Sequence, residues 1–167
     1  MKSVDFLIAE RDRLEKNIPA MFQILYANMH TIMPIGNSYD EDFSMWKTYA
    51  VPAMQEKNRK VVLFYADGNL AGYFQYSLNL ESGSLFMEDL QIQAKYQGSG
   101  LFSAFYKWLV RQLPESIQTV EAHSGKTNYK SQAILEHLGL HKVGENRTGR
   151  SYHYKGAYAS LLEKYII

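Results

Sequence analysis

The stretch LFMEDLQIQAKYQGSGLFSAFYKWLVRQLPESIQTVEAH, residues 85–123, constrains the fold of this chain most tightly. LFMEDLQIQ reads as a strand, GLFSAFYKWLVRQL as an amphipathic helix stopped by Pro114, and SIQTVEAH as a second strand. Strand, helix and strand in succession make a βαβ unit with a right-handed crossover. Between the first strand and the helix lie Gly98 and Gly100. They let the backbone turn sharply and approach a ligand with no Cβ in the way. The amides from about Gly98 to Ser103 would then point out of the helix N-terminus, where the macrodipole favours an anion. On the glycines alone, an ordinary tight turn and an anion cradle both stay open.

The rest of the chain builds outward from this unit. VDFLIAERDRLEKNIPAMFQILYANMH carries Phe6, Leu14, Ile18, Phe22, Leu25 and Met29 at mostly helical spacings, and Pro19 is expected to kink it or begin a second helical part. IGNSYDEDFSMWKTYAVPAMQEKN reads as a loop and a second helix capped by Asp40 or Ser38. KVVLFYA and LAGYFQYSLNL are strands joined by a tight turn at Asp67-Gly68, a strong hairpin signal. NYKSQAILEHLG is a helix closed by Gly139, and LHKVGE and RSYHYKG form a final hairpin before a helical tail, AYASLLEKYII. No repeat, low-complexity tract or linker interrupts this order, so residues 1–167 read as a single domain. The fold class is α/β: a mixed, mostly antiparallel sheet with a central βαβ unit.

Composition narrows the function. Eighteen basic and seventeen acidic residues leave a net charge of +1, which gives no nucleic-acid footprint. Without cysteine there is no disulfide, thiolate nucleophile or Cys-ligated zinc, which fits a cytoplasmic enzyme. The N-terminus reaches charged residues too soon for a signal-peptide core, and no apolar run is long enough for a membrane span. His137 and His141 stand four apart, but Gly139 ends the helix between them and no third ligand is evident, so no metal site is expected. HSGKTN looks like the end of a P-loop, yet that motif needs glycine at 120, which is Val120. Gly125 instead relaxes the turn into Asn128, the cap of the next helix.

The residues around the loop resemble the GCN5-related N-acetyltransferase (GNAT) superfamily. Its acetyl-CoA loop reads Arg/Gln–x–x–Gly–x–Gly/Ala after a strand of the form Leu–x–Val–x–Pro. Here Leu90 and Ile92 supply the strand pair, and Gln97, Gly98, Ser99, Gly100, Leu101 and Phe102 the loop. Ala94 replaces the proline, and Phe102 stands where the family has Gly or Ala. A second motif, Asn–x–x–Ala/Ser, then Tyr, then Gly–Phe/Leu, is matched by Asn128, Ser131, Gly139 and Leu140, with Leu135 in the tyrosine's place. The resemblance covers roughly residues 60–155. It implies a GNAT-like acyl-CoA N-acyltransferase fold and acetyl-CoA as donor. The backbone of Leu90, Gln91 and Ile92 would hold the pantetheine arm. The amides of Gln97 to Ser103 would hold the diphosphate, and Asn128 and Ser131 would add contacts.

Acetyl transfer from a thioester to an amine needs a neutral amine, a polarised carbonyl and a stabilised leaving thiolate. An alkyl ammonium has a pKa near about 10, so a base must take its proton. Glu88 is the choice, because the family frequently uses a carboxylate on this strand. Asp89, on the opposite face by alternation, Glu121 and His123 are the other candidates. For the acid, Leu135 leaves the family's position empty, and Tyr96, Tyr129, Tyr152 and Tyr154 cannot be ranked. Met45, Trp46, Tyr49 and Met54 either line an acceptor pocket or pack in the core. The aromatics of RSYHYKGAY either cover the acceptor cleft or fill a strand edge. The expected function is acetyl transfer to a primary amine of a small molecule or protein by direct attack. A CoA-binding or regulatory module, or a phosphate-binding interaction domain, is the alternative. The oligomeric state is open, a homodimer included.

Overall fold

The computed structural model describes residues 1–30, 32 and 36–166. The elements run β1 (Val4–Ile8), α1 (Arg11–His30), α2 (Tyr39–Met54), β2 (Arg59–Ala66), β3 (Asn69–Asn79), β4 (Ser84–Ile92), α3 (Leu101–Leu109), β5 (Thr119–Gly125), α4 (Tyr129–His137), β6 (His141–Glu145), β7 (Ser151–Ala157) and α5 (Tyr158–Tyr165). A short 3₁₀ turn, Ala94–Tyr96, follows β4. The strands form one seven-stranded sheet in the order β1-β2-β3-β4-β5-β7-β6. The pairs β1–β2, β5–β7 and β6–β7 are antiparallel and β4–β5 is parallel, as a βαβ unit requires. By its internal contacts the chain divides into two compact units: Met1–Tyr76 with Asp89–Phe102, and Ser77–Glu88 with Ser103–Ile167.

In the first unit, Leu14, Ile18 and Met21 of α1 recur at helical spacing and pack with Met54, Val61, Leu63 and Tyr73. Phe22 joins them to α2 through ring contacts with Tyr39, Phe43 and Trp46. Helix α2 opens on a full capping box: the Ser38 hydroxyl accepts from the Glu41 amide while the Glu41 carboxylate accepts from the Ser38 amide. The start of the loop expected before it, Ile35, lies outside the described residues. Between β2 and β3 the turn has φ +51° at Asp67 and +82° at Gly68, the pair of positive values that a two-residue hairpin needs.

Three expectations are corrected here. Residues 4–8 are a strand, not the start of the first helix: β1 pairs with β2 from Val4–Ala66 to Ile8–Val62. The Asp67 carboxylate fastens that end by accepting from the Lys2 and Ser3 amides at 2.9 and 3.0 Å. Second, α1 runs through Pro19 as one helix, so no second helical part begins there. Pro19 is exposed and only one backbone bond is forfeited there, while the residues around it remain packed.

The third lies in the second unit, where α3 ends at Leu109 rather than Pro114. The Arg111 and Gln112 amides bond to carbonyls three residues back, at Trp108 and Leu109, and the last turn tightens out of α-geometry. Phe105, Tyr106 and Leu109 of α3 are fully buried. Tyr106 stacks on Tyr165 of α5 and its hydroxyl donates to Met87 Sδ. Asn128 caps α4 by accepting from the Ser131 amide at 3.1 Å, and the Leu140 amide closes its far end on the Leu135 carbonyl.

Candidate active site

In the first unit, the end of β4 and the glycine loop are held by short-range chemistry. A Cβ on Gly72 of β3 would lie 2.3 Å from the Gln91 carbonyl oxygen, so only glycine lets β3 come this close to β4. The Ile92 carbonyl accepts from Asn28 Nδ2 at 3.0 Å and Gln97 Nε2 at 2.9 Å. Gln97 thereby ties the loop back to the strand. Asp89 accepts from the Tyr73 hydroxyl at 2.9 Å on one oxygen and from Gln91 Nε2 at 2.7 Å on the other. Burial, and then the Asp89 charge, push the Tyr73 hydroxyl well above its ordinary pKa, so it stays a donor. With both oxygens tied into the fold, Asp89 is poorly suited to take a proton.

The loop glycines have φ +77° at Gly98 and +88° at Gly100, and a Cβ on either would meet nothing within 4 Å. The backbone conformation demands glycine here, and the space above it is open. The Gln97 and Ser99 amides bond within the loop, to the Ala94 and Tyr96 carbonyls. The amides at Leu101, Phe102 and Ser103 begin α3, where no intrahelical acceptor exists. Leu101 is buried, Phe102 half-buried and Ser103 exposed. The Phe102 side chain is partly packed while its amide stays at the helix start.

In the second unit, parallel register between β4 and β5 runs from Ser84–Thr119 to Met87–Ala122. The next residues on the two strands are Glu88 and His123. Behind them sits a polar cluster that the sequence reading named only in part. Ser84 donates to one oxygen of Glu121 at 2.6 Å, and His153 Nε2 lies 3.0 Å from the other. His123 packs edge-on against Phe86 and His153, with ring centroids 5.0 and 5.1 Å away. The Ser84 hydroxyl first, with Lys155 and His153 behind it, holds the Glu121 carboxyl below its ordinary range despite partial burial. His123 is exposed as a residue, but its crowded ring is partly desolvated. That burial lowers its pKa, His153 lowers it further, and Glu121 opposes both. His153 is the member the sequence missed, because it meets Glu121 only when β7 lies beside β5.

The remaining candidates separate by burial. Met54 is core and Trp46 packs against Phe22, whereas Met45 and Tyr49 are 52% and 74% exposed. With Asp40, Glu41, Ser44 and Thr48 these two line an open depression on α2. Among the tyrosines, Tyr129 is exposed. Tyr96 lies under the Lys95 ammonium and Tyr152 under those of Lys126 and Lys142. Tyr154 is fully buried, its hydroxyl has no hydrogen-bond partner, and burial raises its pKa. Leu135, in the place of the family's tyrosine, is buried. The RSYHYKGAY aromatics do not fill an edge: β7 is interior, between β5 and β6. Among the described residues no three His, Asp or Glu side chains gather as a metal site, and no helix is long and apolar enough to cross a membrane.

The family described as acetyltransferase (GNAT) family matches residues 25–140. The chain belongs to this family. Solved structures of similar fold include an acetyltransferase from Thermus thermophilus, 15% identical with a TM-score of 0.71 over 93% of this chain and 97% of that one. The aminoglycoside acetyltransferase AAC(6')-Ib in complex with coenzyme A is 14% identical, with a TM-score of 0.69 over 99% of this chain and 100% of that one. The PaiA N-acetyltransferase from Thermoplasma acidophilum, also with coenzyme A, is 14% identical, with a TM-score of 0.66 over 93% and 99%. No curated protein sequence matches the chain. At these identities the structures establish the fold, and the family establishes a GNAT acetyltransferase whose use of acetyl-CoA is implied by membership.

Proposed function

We propose that this chain is a cytoplasmic enzyme that transfers the acetyl group of acetyl-CoA to a primary amine of a small molecule or protein. The observation that carries this reading is the loop from Gln97 to Gly100. Its two glycines hold left-handed conformations under open space, directly before the first turn of α3, in a member of an acetyltransferase family. The loop and helix start from Gln97 through Ser103 take the diphosphate, with the Gln97 and Ser99 amides first giving up their bonds to the Ala94 and Tyr96 carbonyls. The backbone of Leu90, Gln91 and Ile92 takes the pantetheine arm, and by the family's motif Asn128 and Ser131 add contacts to CoA.

The amine attacks the thioester carbonyl directly: a C–N bond forms, the C–S bond breaks and CoA leaves as thiolate. Glu88, the first residue of β4 beyond its parallel register with β5, accepts the acceptor ammonium's hydrogen bond and draws its proton. A thiol pKa near about 8.5 makes the thiolate a tolerable leaving group, and water can reprotonate it.

Gly100→Asp tests the reading, because it places a carboxylate beside the diphosphate and a side chain at a positive φ. Calorimetry is expected to find acetyl-CoA binding lost with the fold retained; unchanged affinity removes the loop assignment. Buried Leu135 favours one second reading, a CoA-binding module with little chemistry. Thermal stabilisation by acetyl-CoA without thiol release on any amine would support it.

A further inference from the structure

The cluster on β4, β5 and β7 has a chemistry that the cofactor loop does not use. We propose that His123 is the residue on which the acceptor's proton comes to rest during acetyl transfer, with the Glu121–His153 pair as the positioning device behind it. This rests on the acetyltransferase reading and adds a catalytic residue to it.

Position is the first argument. His123 is the first residue of β5 beyond the last parallel rung, Met87–Ala122, as Glu88 is on β4. Both therefore stand where the two strands cease to pair. His123 is exposed, so an acceptor or one bridging water can reach its ring.

Construction is the second. Glu121 receives the Ser84 hydroxyl on one oxygen and His153 Nε2 on the other. The contact with Glu121 fixes the orientation of the His153 ring. That ring meets His123 edge-on at 5.1 Å and Phe86 closes the other side at 5.0 Å, so His123 is held between two rings. The charged and titratable neighbours on this face are Glu88 from β4, Glu121 from β5, His153 and Lys155 from β7, and His141 from β6, opposite Lys155. Gly144 of β6, beside His153, adds none.

The chemistry supplies the third. Passing a proton from an ammonium of pKa near 10.4 to a carboxylate near 4.3 is uphill by about six powers of ten; to an imidazole near 6.5 it is uphill by about four. At neutral pH an imidazole is the better resting place, and burial beside a second histidine keeps His123 neutral and ready. The proton balance closes simply. The ammonium N–H breaks, directly or through Glu88 and water, the proton bonds to His123, the neutral amine attacks, and His123 returns the proton to solvent.

The test is the pH profile of kcat/KM for thiol release from acetyl-CoA, with the best amine found on a panel. Wild type is expected to gain activity as pH rises through a value below the ordinary histidine range. His123→Gln is expected to lose that limb and fall about a hundredfold or more at pH 7, with thermal stabilisation by acetyl-CoA unchanged. Glu121→Gln removes a charge that raises the His123 pKa and moves the limb to lower pH. His153→Gln removes one that lowers it and moves the limb to higher pH. A merely structural cluster would not shift the limb in opposite directions. A wild-type profile in His123→Gln, or limbs unmoved in both other variants, overturns the role of His123 alone. Glu88→Gln at wild-type rates overturns Glu88 and leaves His123 as sole proton acceptor. A wild type that releases no thiol with any amine overturns the acetyltransferase reading, and the histidine role falls with it.

Discussion

At Gly98 and Gly100 the constraint is conformational: φ is positive at both and the space beyond is open. Substitution there strains the backbone by about 1 kcal/mol or more without a steric clash, so on the proposed reading Gly100→Asp acts through charge beside the diphosphate as well as through the backbone. Tyr154 presents the opposite case. Its hydroxyl is buried with no partner, so Tyr154→Phe removes an orphaned polar group. Its thermal unfolding midpoint in the absence of ligand is expected to equal or exceed that of wild type; a fall of several degrees would mean that the hydroxyl is satisfied. The sequence offers thirteen tyrosines and cannot choose among them. Burial and partners, which separate Tyr154 from Tyr96, Tyr129 and Tyr152, exist only after folding.

At the scale of elements, local chemistry was legible and distant pairing was not. Ser38, one of the two caps read for α2, the Asp67-Gly68 turn and Asn128 before α4 are local signals, and each forms; the Glu41 half of the capping box comes from the structure. Ser38→Ala breaks the capping box and is expected to cost about 1 kcal/mol, read as a midpoint lower by about 2–4 °C; no change would mean that the cap contributes nothing. Strand β1 escaped because VDFLI fits either periodicity, and only pairing with β2, some sixty residues on, decides for strand. The Glu121–His153 contact escaped for the same reason, since it spans 32 positions and depends on β7 lying beside β5. The loop and its two strand residues were legible because the family writes them contiguously. The acid was not, because Leu135 breaks the motif that would have named it.

For the whole molecule, several phenols are buried, and burial raises the pKa of Tyr73 and of Tyr106 above the ordinary value. A group whose pKa is raised on folding adds stability that is complete below its unfolded value and lost as pH rises toward the folded one. The urea midpoint is therefore expected to hold up to about pH 9 and to fall beyond about pH 10, with a shallower fall in Tyr106→Phe. A flat profile to about pH 11 would mean that these phenols are not desolvated in solution. Acetyl-CoA-dependent N-acetylation remains the central claim. Thiol release from acetyl-CoA across a panel of polyamines, aminoglycosides and lysine- or N-terminal peptides tests it most directly. At least one amine is expected to raise release well above the amine-free rate, with the acetylated amine recovered in equal amount. Release that no amine increases, from a folded protein that binds acetyl-CoA, would contradict it.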